Sequence, residues 1–425
     1  MRFRHKKIWF ALMMVTFSFA AALHLAEFSL KKLDKCNEKR FIDYQDLMRS
    51  DGLGNGGYLR EKVDISVTNG LGGCVRWHTN AEGFRSDRDF SQQSPPGVLR
   101  ILALGDSFNA GYRVGQEETF GFLLEQWINE HRGKSEVLIA ETEEPVTALY
   151  YLQKFGLAFH PHIVLLGITI GNDIAQAYVG LDPRGGYELK IDHDKVSLEK
   201  IPGTIGFSSF DDYEIPKTYF RDPTKFEITI KAIKKWLNKF RLGRRLFQDR
   251  EGILSSQGNP PKLVDLVNGL AVFLNPTPPM IEEAYRRLFT IISAMQTVCK
   301  QHQIIFAVEL FPQRYQVQPP DWDSAVEKYN LKKSGFDLME PNHKIRDFCR
   351  ESGINLIDPT EEMAKRYAAT GKRMYLPRGD MHWNREGHRA FFEGAQPSYL
   401  PLIEEGFKLV QANNLKISSI RKTTR

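Results

Sequence analysis

The tightest constraint on this chain is a change of pattern inside one short stretch, Arg100 to Tyr112. Ile101 to Leu104 is an apolar run of the length and bounding expected for a buried strand. Gly105-Asp106-Ser107 breaks the run, and Gly105 lets the backbone turn sharply there. Glu117 to Arg132 then reads as a helix, with Phe120, Leu123, Leu124 and Ile128 on one face. A hydroxyl at the carboxyl end of a buried parallel strand lies where open α/β sheets bind ligands. Taken alone, Gly-Asp-Ser is also an ordinary loop in which Asp106 or Ser107 caps the next turn.

The alternation continues. Val137–Ala140 and Ile163–Ile170 read as strands, with a helix over Pro145–Leu157 between them. Later come helix Met280–His302, strand Ile304–Leu310, helix Asn342–Glu351, strand Ile354–Ile357, helix Glu361–Thr370 and a last helix from about Arg385. Strand and helix in strict turn predict a parallel sheet in an α/β fold. A hairpin over Tyr187–Ile191 and Lys195–Leu198 interrupts the pattern. The 425 residues allow one large domain with insertions. We place its boundaries at 98–405, with an insertion at about 174–279, a stalk and loop-rich lead-in at 29–97, and a basic tail at 406–425.

Three further groups of residues bear on chemistry. Asn172-Asp173 follows Gly171 at the end of the third strand. Asp380-Met-His382-Trp-Asn384 stands near the C-terminus, and His388 follows on the last helix. Each has an ordinary structural reading: an Asx-turn at Asn172, a helix cap at Asp380, a packed core histidine at His382. Taken in order at strand ends, Ser107, then Asn172, then Asp380 and His382 resemble the SGNH (GDSL-type) hydrolase superfamily. The resemblance covers roughly residues 70 to 405. It implies a three-layer α/β/α flavodoxin-like sheet. It also implies a serine nucleophile at Ser107, a base at His382 and an orienting acid at Asp380, with Asp106 and Asp173 supporting. The oxyanion donors it implies are the Ser107 backbone and the Asn172 side chain.

The chain departs from the family in three places. The second motif, Ala140-Glu-Thr-Glu-Glu-Pro145, lacks the usual glycine, so Thr142 is the expected third oxyanion donor through its own N–H. Ile170 replaces the first glycine of the third motif. The acid precedes the histidine by two residues, an arrangement that resembles the alginate O-acetylation branch and other membrane-anchored bacterial relatives. Asn80-Ala-Glu-Gly-Phe-Arg85 also resembles a segment that precedes the first core strand in such relatives.

The N-terminus points the same way. Arg2, Arg4, Lys6 and Lys7 precede a nearly apolar run from Ile8 to Leu25. Such a pattern is a secretory signal or a signal anchor. The length of the run favours the anchor over cleavage at Ala20-Ala21-Ala22. Residues 1–28 are then the membrane segment, and the globular part lies in the periplasm or outside the cell. Four cysteines without a Cys-x-x-Cys pair make zinc an unsuitable guess, and a Cys36–Cys74 disulfide is open. Residues 217 to 250 carry eleven Lys/Arg against three acids, with apolar residues at helical spacing. That is a helix with a core face and a solvated face, or one that lies on an anionic membrane.

A net charge of +6 is mild for this length, and no nucleic-acid motif is present. Serine acyl chemistry needs no metal and no organic cofactor. The activity that the resemblance and the N-terminal segment imply is an esterase or O-acyltransferase on acyl esters, O-acetyl first among them, of an extracytoplasmic polysaccharide. The expected partners are an acylated glycan and the membrane. The alternative is a catalytically impaired fold that binds glycan as an accessory of an envelope assembly.

Overall fold

The computed structural model describes residues 48–49, 58–71, 73–181, 187–192, 195–200, 219, 270–377 and 380–423. The N-terminal apolar segment, the stalk and the basic stretch at 217–250 lie outside them, apart from residue 219. Among the described residues no helix is long and apolar enough to cross a membrane. Cys74 is disulfide-bonded, whereas Cys299 and Cys349 are free and buried. Cys36 lies outside the described residues.

The chain enters through an antiparallel hairpin, β1 (Asp64–Thr68) and β2 (Cys74–His78). The first core strand, β3 (Leu99–Gly105), is followed by the single-turn helix α1 (Ser107–Ala110) and by α2 (Phe120–His131). Then come β4 (Ser135–Glu141), α3 (Pro145–Lys154), β5 (Ile163–Thr169) and α4 (Asp173–Gly180). The inserted hairpin is β6 (Tyr187–Asp192) with β7 (Lys195–Lys200). The core resumes with α5 (Pro279–Gln301), β8 (Ile305–Phe311), α6 (Arg314–Val317), α7 (Pro319–Tyr329) and α8 (Glu340–Ser352). It closes with β9 (Asn355–Ile357), α9 (Thr360–Thr370) and α10 (Arg385–Thr423). Residues 406–423, expected as a separate tail, continue α10.

Five strands form one parallel sheet in the order β9-β8-β5-β3-β4. Counting core strands along the chain, that is 2-1-3-4-5, the flavodoxin-like doubly wound order. One row of the sheet runs Val137, Ile101, Ile163, Ile305. Side chains alternate across the sheet with a period of two. Ile101, Ala103, Ile139 and Leu165 face the cluster closed by α2, α9 and α10. Leu102, Leu104, Leu138 and Leu166 face the cluster closed by α3, α4, α5 and α8. Both faces are buried, so β3 and β5 read as unbroken apolar runs rather than as alternating ones.

This winding positions the site. The helix after β3 packs on one face of the sheet and the helix after β4 on the other. The winding direction therefore reverses beside β3, and the carboxyl ends of β3 and β5 are where sheets of this winding bind ligands. Ser107 follows β3, and Asn172 follows β5.

Candidate active site

The turn after β3 is built around Asp106. Its carboxylate accepts the Phe108 N–H at 2.9 Å and so caps α1. The capping role foreseen for Asp106 is thus real, and it leaves the Ser107 hydroxyl free for another partner. Gly111 ends the turn with φ +67°, and a Cβ there would fall 2.5 Å from the Thr119 side chain. The Asn109 amide pins the turn to the sheet by donating to the carbonyls of Ala103 and Ala140, both at 3.0 Å. The buried Arg85 holds it from the other side, donating to the carbonyls of His78 and Val114 at 3.1 Å and of Ala110 at 3.3 Å. Its guanidinium stacks 4.6 Å from the Trp77 ring. Within the same Asn80–Arg85 segment, the Asn80 side chain accepts the N–H groups of Glu82 and Phe84. The segment is a clamp on the turn.

The described residues around His382 and Asp380 are also tied down by hydrogen bonds. Leu376 N–H donates to the His382 carbonyl and Asn384 N–H to the Met374 carbonyl, both at 2.9 Å. The Arg314 guanidinium donates to the carbonyls of Leu376 at 3.1 Å and Asp380 at 3.2 Å, and pairs with Asp321 at 2.9 Å. Asn384 caps α10 by accepting the N–H groups of Glu386 and Gly387. Gly387 lets this first turn sit against Trp383 and the Met374 carbonyl, where any Cβ would collide.

These two loops bring three distant side chains together. Ser107 Oγ lies 2.8 Å from His382 Nε2, and His382 Nδ1 lies 2.7 Å from Asp380 Oδ1. Asp380 Oδ1 also accepts the His382 backbone N–H at 3.1 Å. Asp380 Oδ2 lies 3.4 Å from Arg113 Nε. A carboxylate only accepts, so Nδ1 carries the imidazole proton and Nε2 is left to accept from Ser107. Burial works to raise the Asp380 carboxyl. The His382 hydrogen bond and charge, with Arg113, outweigh it and hold the carboxyl well below its usual range. The imidazole is flanked by the rings of Phe108 at 5.4 Å and Tyr112 at 5.2 Å.

The other anticipated residues surround this relay. The Asn172 amide donates to Asp106 Oδ2 and Gln176 Oε1, both at a long 3.4 Å. Asp173 accepts the Thr169 N–H at 2.7 Å. Burial pushes the carboxyls of Asp106 and Asp173 up, well up for Asp173, where the Asp106 charge adds to it. His388, the competing base, is buried and stacks 6.0 Å from the Phe120 ring. Burial pushes its imidazole down to about 3, so it stays neutral and structural.

Thr142 is the correction. Its N–H donates to the Gly105 carbonyl at 2.8 Å, extending the β3–β4 ladder by one rung. A hydrogen committed to the sheet is not available to an oxyanion. The residue in the position a glycine would suit is Glu143, with φ +42°. Glu141 and Glu144 flank it. Glu141 is buried, with neither carboxyl oxygen hydrogen-bonded among the described residues. Burial, with the Glu143 charge adding, raises Glu141 well above its ordinary value and pushes Glu144 up to about 8. Burial thus pushes two of the three glutamates of this turn toward their neutral forms.

Sequence reasoning missed Arg113 and Arg314. Neither belongs to a motif, and only the assembled fold brings them to Asp380. Among the described residues no group of three or more His, Cys, Asp or Glu is arranged to hold a metal ion.

No family model matches the chain, and no curated protein matches it. Among solved structures, the chain is similar to TesA at 9% identity and TM-score 0.34, covering 72% of this chain and 99% of that one. It is similar to an acetyl xylan esterase, AlAXEase, at 10% identity and TM-score 0.35, covering 71% and 99%. It is also similar to a G-D-S-L family lipolytic protein of Desulfitobacterium hafniense DCB-2, at 12% identity and TM-score 0.33, covering 71% and 99%. Likenesses at these scores leave the reading of the site to its own geometry.

Proposed function

We propose that the chain is an SGNH-type serine enzyme that cleaves or transfers an acyl group held as an ester. The observation that carries this is the Ser107–His382–Asp380 relay, closed at 2.8 Å and 2.7 Å by residues 275 positions apart in the chain. His382 Nε2 takes the Ser107 proton as Oγ bonds to the acyl carbon. Asp380 steadies the imidazolium that forms. The Ser107 N–H, at the start of α1, and the loosely held Asn172 amide are the donors nearest to hand for the oxyanion. Collapse breaks the bond to the leaving oxygen, which takes the proton from His382. Water or a sugar hydroxyl then resolves the acyl-enzyme, giving hydrolysis or transfer.

We further propose an O-acetylated polysaccharide outside the cytoplasm as substrate, with the enzyme tethered through residues 1–28. The basic and apolar N-terminal sequence and the Asp-x-His-Trp arrangement support this. So does the disulfide at Cys74, since such bonds persist in oxidising compartments. A second reading, a glycan-binding accessory with an impaired site, draws on one observation: the Thr142 N–H is spent on Gly105.

The test is hydrolysis of a simple aryl acetate by the full chain beside Ser107→Ala. Activity well above the variant supports the enzyme. Equal background in both, on the aryl acetate and on acetylated polysaccharide, favours the accessory reading.

A further inference from the structure

Arg113 stands on the loop that carries the nucleophile, yet it reaches the acid of the opposite loop. Its Nε lies 3.4 Å from Asp380 Oδ2, and both side chains are largely buried, 6% and 14% exposed. Asp380 Oδ1 is already taken by the two N–H groups of His382. The two oxygens of one carboxylate are thus divided between the base and a cation. The loop cannot shift freely, because Arg85 holds the carbonyls of Ala110 and Val114, one on each side of Arg113. The Arg113 guanidinium also lies 4.4 Å from the Tyr112 ring, which in turn flanks His382.

We propose that Arg113 is a positioning residue of the triad: it holds the Asp380 carboxylate edge-on to His382 and balances its charge. This rests on the triad reading above and goes beyond it, because a triad needs only an acid to orient its base.

The consequence is electrostatic. A carboxylate held against an imidazole favours the charged ring. A fixed cation on the same carboxylate opposes that pull. Among the described residues, the other charged or titratable groups bearing on His382 are Asp106 at the end of β3 and the neutral His388 on α10. Tyr112 and Phe108 from the nucleophile loop present rings. Arg314, from α6, touches only the Asp380 carbonyl and not its carboxylate. Among these, Arg113 is the cation on the carboxylate itself.

The experiment is an imidazole NMR titration of His382 in the full chain, assigned by loss of the signal in His382→Ala. It is run on wild type, Arg113→Gln and Arg113→Lys, each checked for folding by thermal unfolding. We expect the His382 midpoint to rise by about one pH unit in Arg113→Gln, and by less than half of that in Arg113→Lys, which keeps the charge. On an aryl acetate, the acid limb of the rate profile moves with it, and kcat below the limb falls about tenfold with KM little changed. A midpoint in folded Arg113→Gln that matches wild type overturns the inference. So does an equal rise in Arg113→Lys, which would make the effect packing and not charge. The titration needs no turnover. A moved midpoint without Ser107-dependent hydrolysis would sink the esterase reading and leave only the charge coupling of Arg113 to His382. A fixed midpoint with Ser107-dependent hydrolysis would do the reverse.

Discussion

The turns after β3 and β4 lie side by side at one end of the sheet, in register at Gly105 and Glu141, and they are built in opposite ways. After β3, Asp106, Ser107, Asn109 and the clamp from Arg85 are all hydrogen-bonded. After β4, both Glu141 oxygens and the Thr142 hydroxyl are buried with no hydrogen-bond partner among the described residues. Glu143 there takes a left-handed backbone that glycine would adopt without strain. On the proposed function the first turn moves a proton, which calls for preorganisation. At Glu141 and Thr142 the second turn has no such network of side-chain hydrogen bonds among the described residues. It is built around carboxyls that burial raises, Glu141 well above its ordinary value and Glu144 to about 8. The difference teaches that an intact relay and an intact oxyanion site are separate properties of one sheet edge.

The largest effect should come from the first turn. Ser107→Ala is expected to lower kcat on an aryl acetate by about 10^4-fold or more, and Ser107→Ala with His382→Ala by no more than that, because the relay acts as a unit. Additive losses would show that the two residues do not share a step. Next, Asn172→Ala should cost about 10^2- to 10^3-fold in kcat if its amide is the main side-chain oxyanion donor. A loss under about tenfold would move the donor role elsewhere and weaken the contrast between the turns.

Two smaller effects probe the second turn. The Glu144 carboxyl ordinarily titrates at 4.5 and is pushed up to about 8 in the fold. The native state therefore holds this proton longer than the unfolded chain. Its stability is full below about pH 4.5 and is lost as the pH rises through about 8. Glu144→Gln should flatten that decline, by about 1–2 kcal/mol after allowing for the residue's partial exposure, read from denaturant unfolding at several pH values. An unchanged slope would show that the carboxyl is solvated. Glu143→Gly should relieve the left-handed backbone and stabilise the chain by about 1 kcal/mol, seen as a higher Tm. A lower Tm would mean that the glutamate side chain is holding the turn.

Much of this was legible in the residues. The apolar runs at 101–104, 137–140, 163–170 and 304–310 are strands because both faces of the sheet are covered. Their alternation with amphipathic helices therefore predicts the parallel order that is found. Ser107, Asp380 and His382 were legible only as an ordered set at strand ends, because each motif alone has an ordinary structural use. Thr142 was misread for a physical reason. A backbone N–H carries no side-chain signature, and only the pairing register shows that Gly105 claims it. Arg113 and Arg314 were invisible for a related reason. A lone arginine in a sequence is ordinarily a solvated charge, and nothing local says that the fold will bury it against a carboxylate. The Asn80–Arg85 segment was noticed without a role; its role as a clamp needs the loop at 106–114 to be in place.

The central claim is that Ser107 is an activated nucleophile. It is tested most directly by exposing the folded full chain to a reactive alkylphosphonate ester and locating the adduct by peptide mass spectrometry. We predict a single phosphonyl group on Ser107, formed rapidly in wild type and at least about 10^3-fold more slowly in His382→Ala. A folded chain left unmodified at Ser107, or modified there at the same rate without His382, would contradict the account.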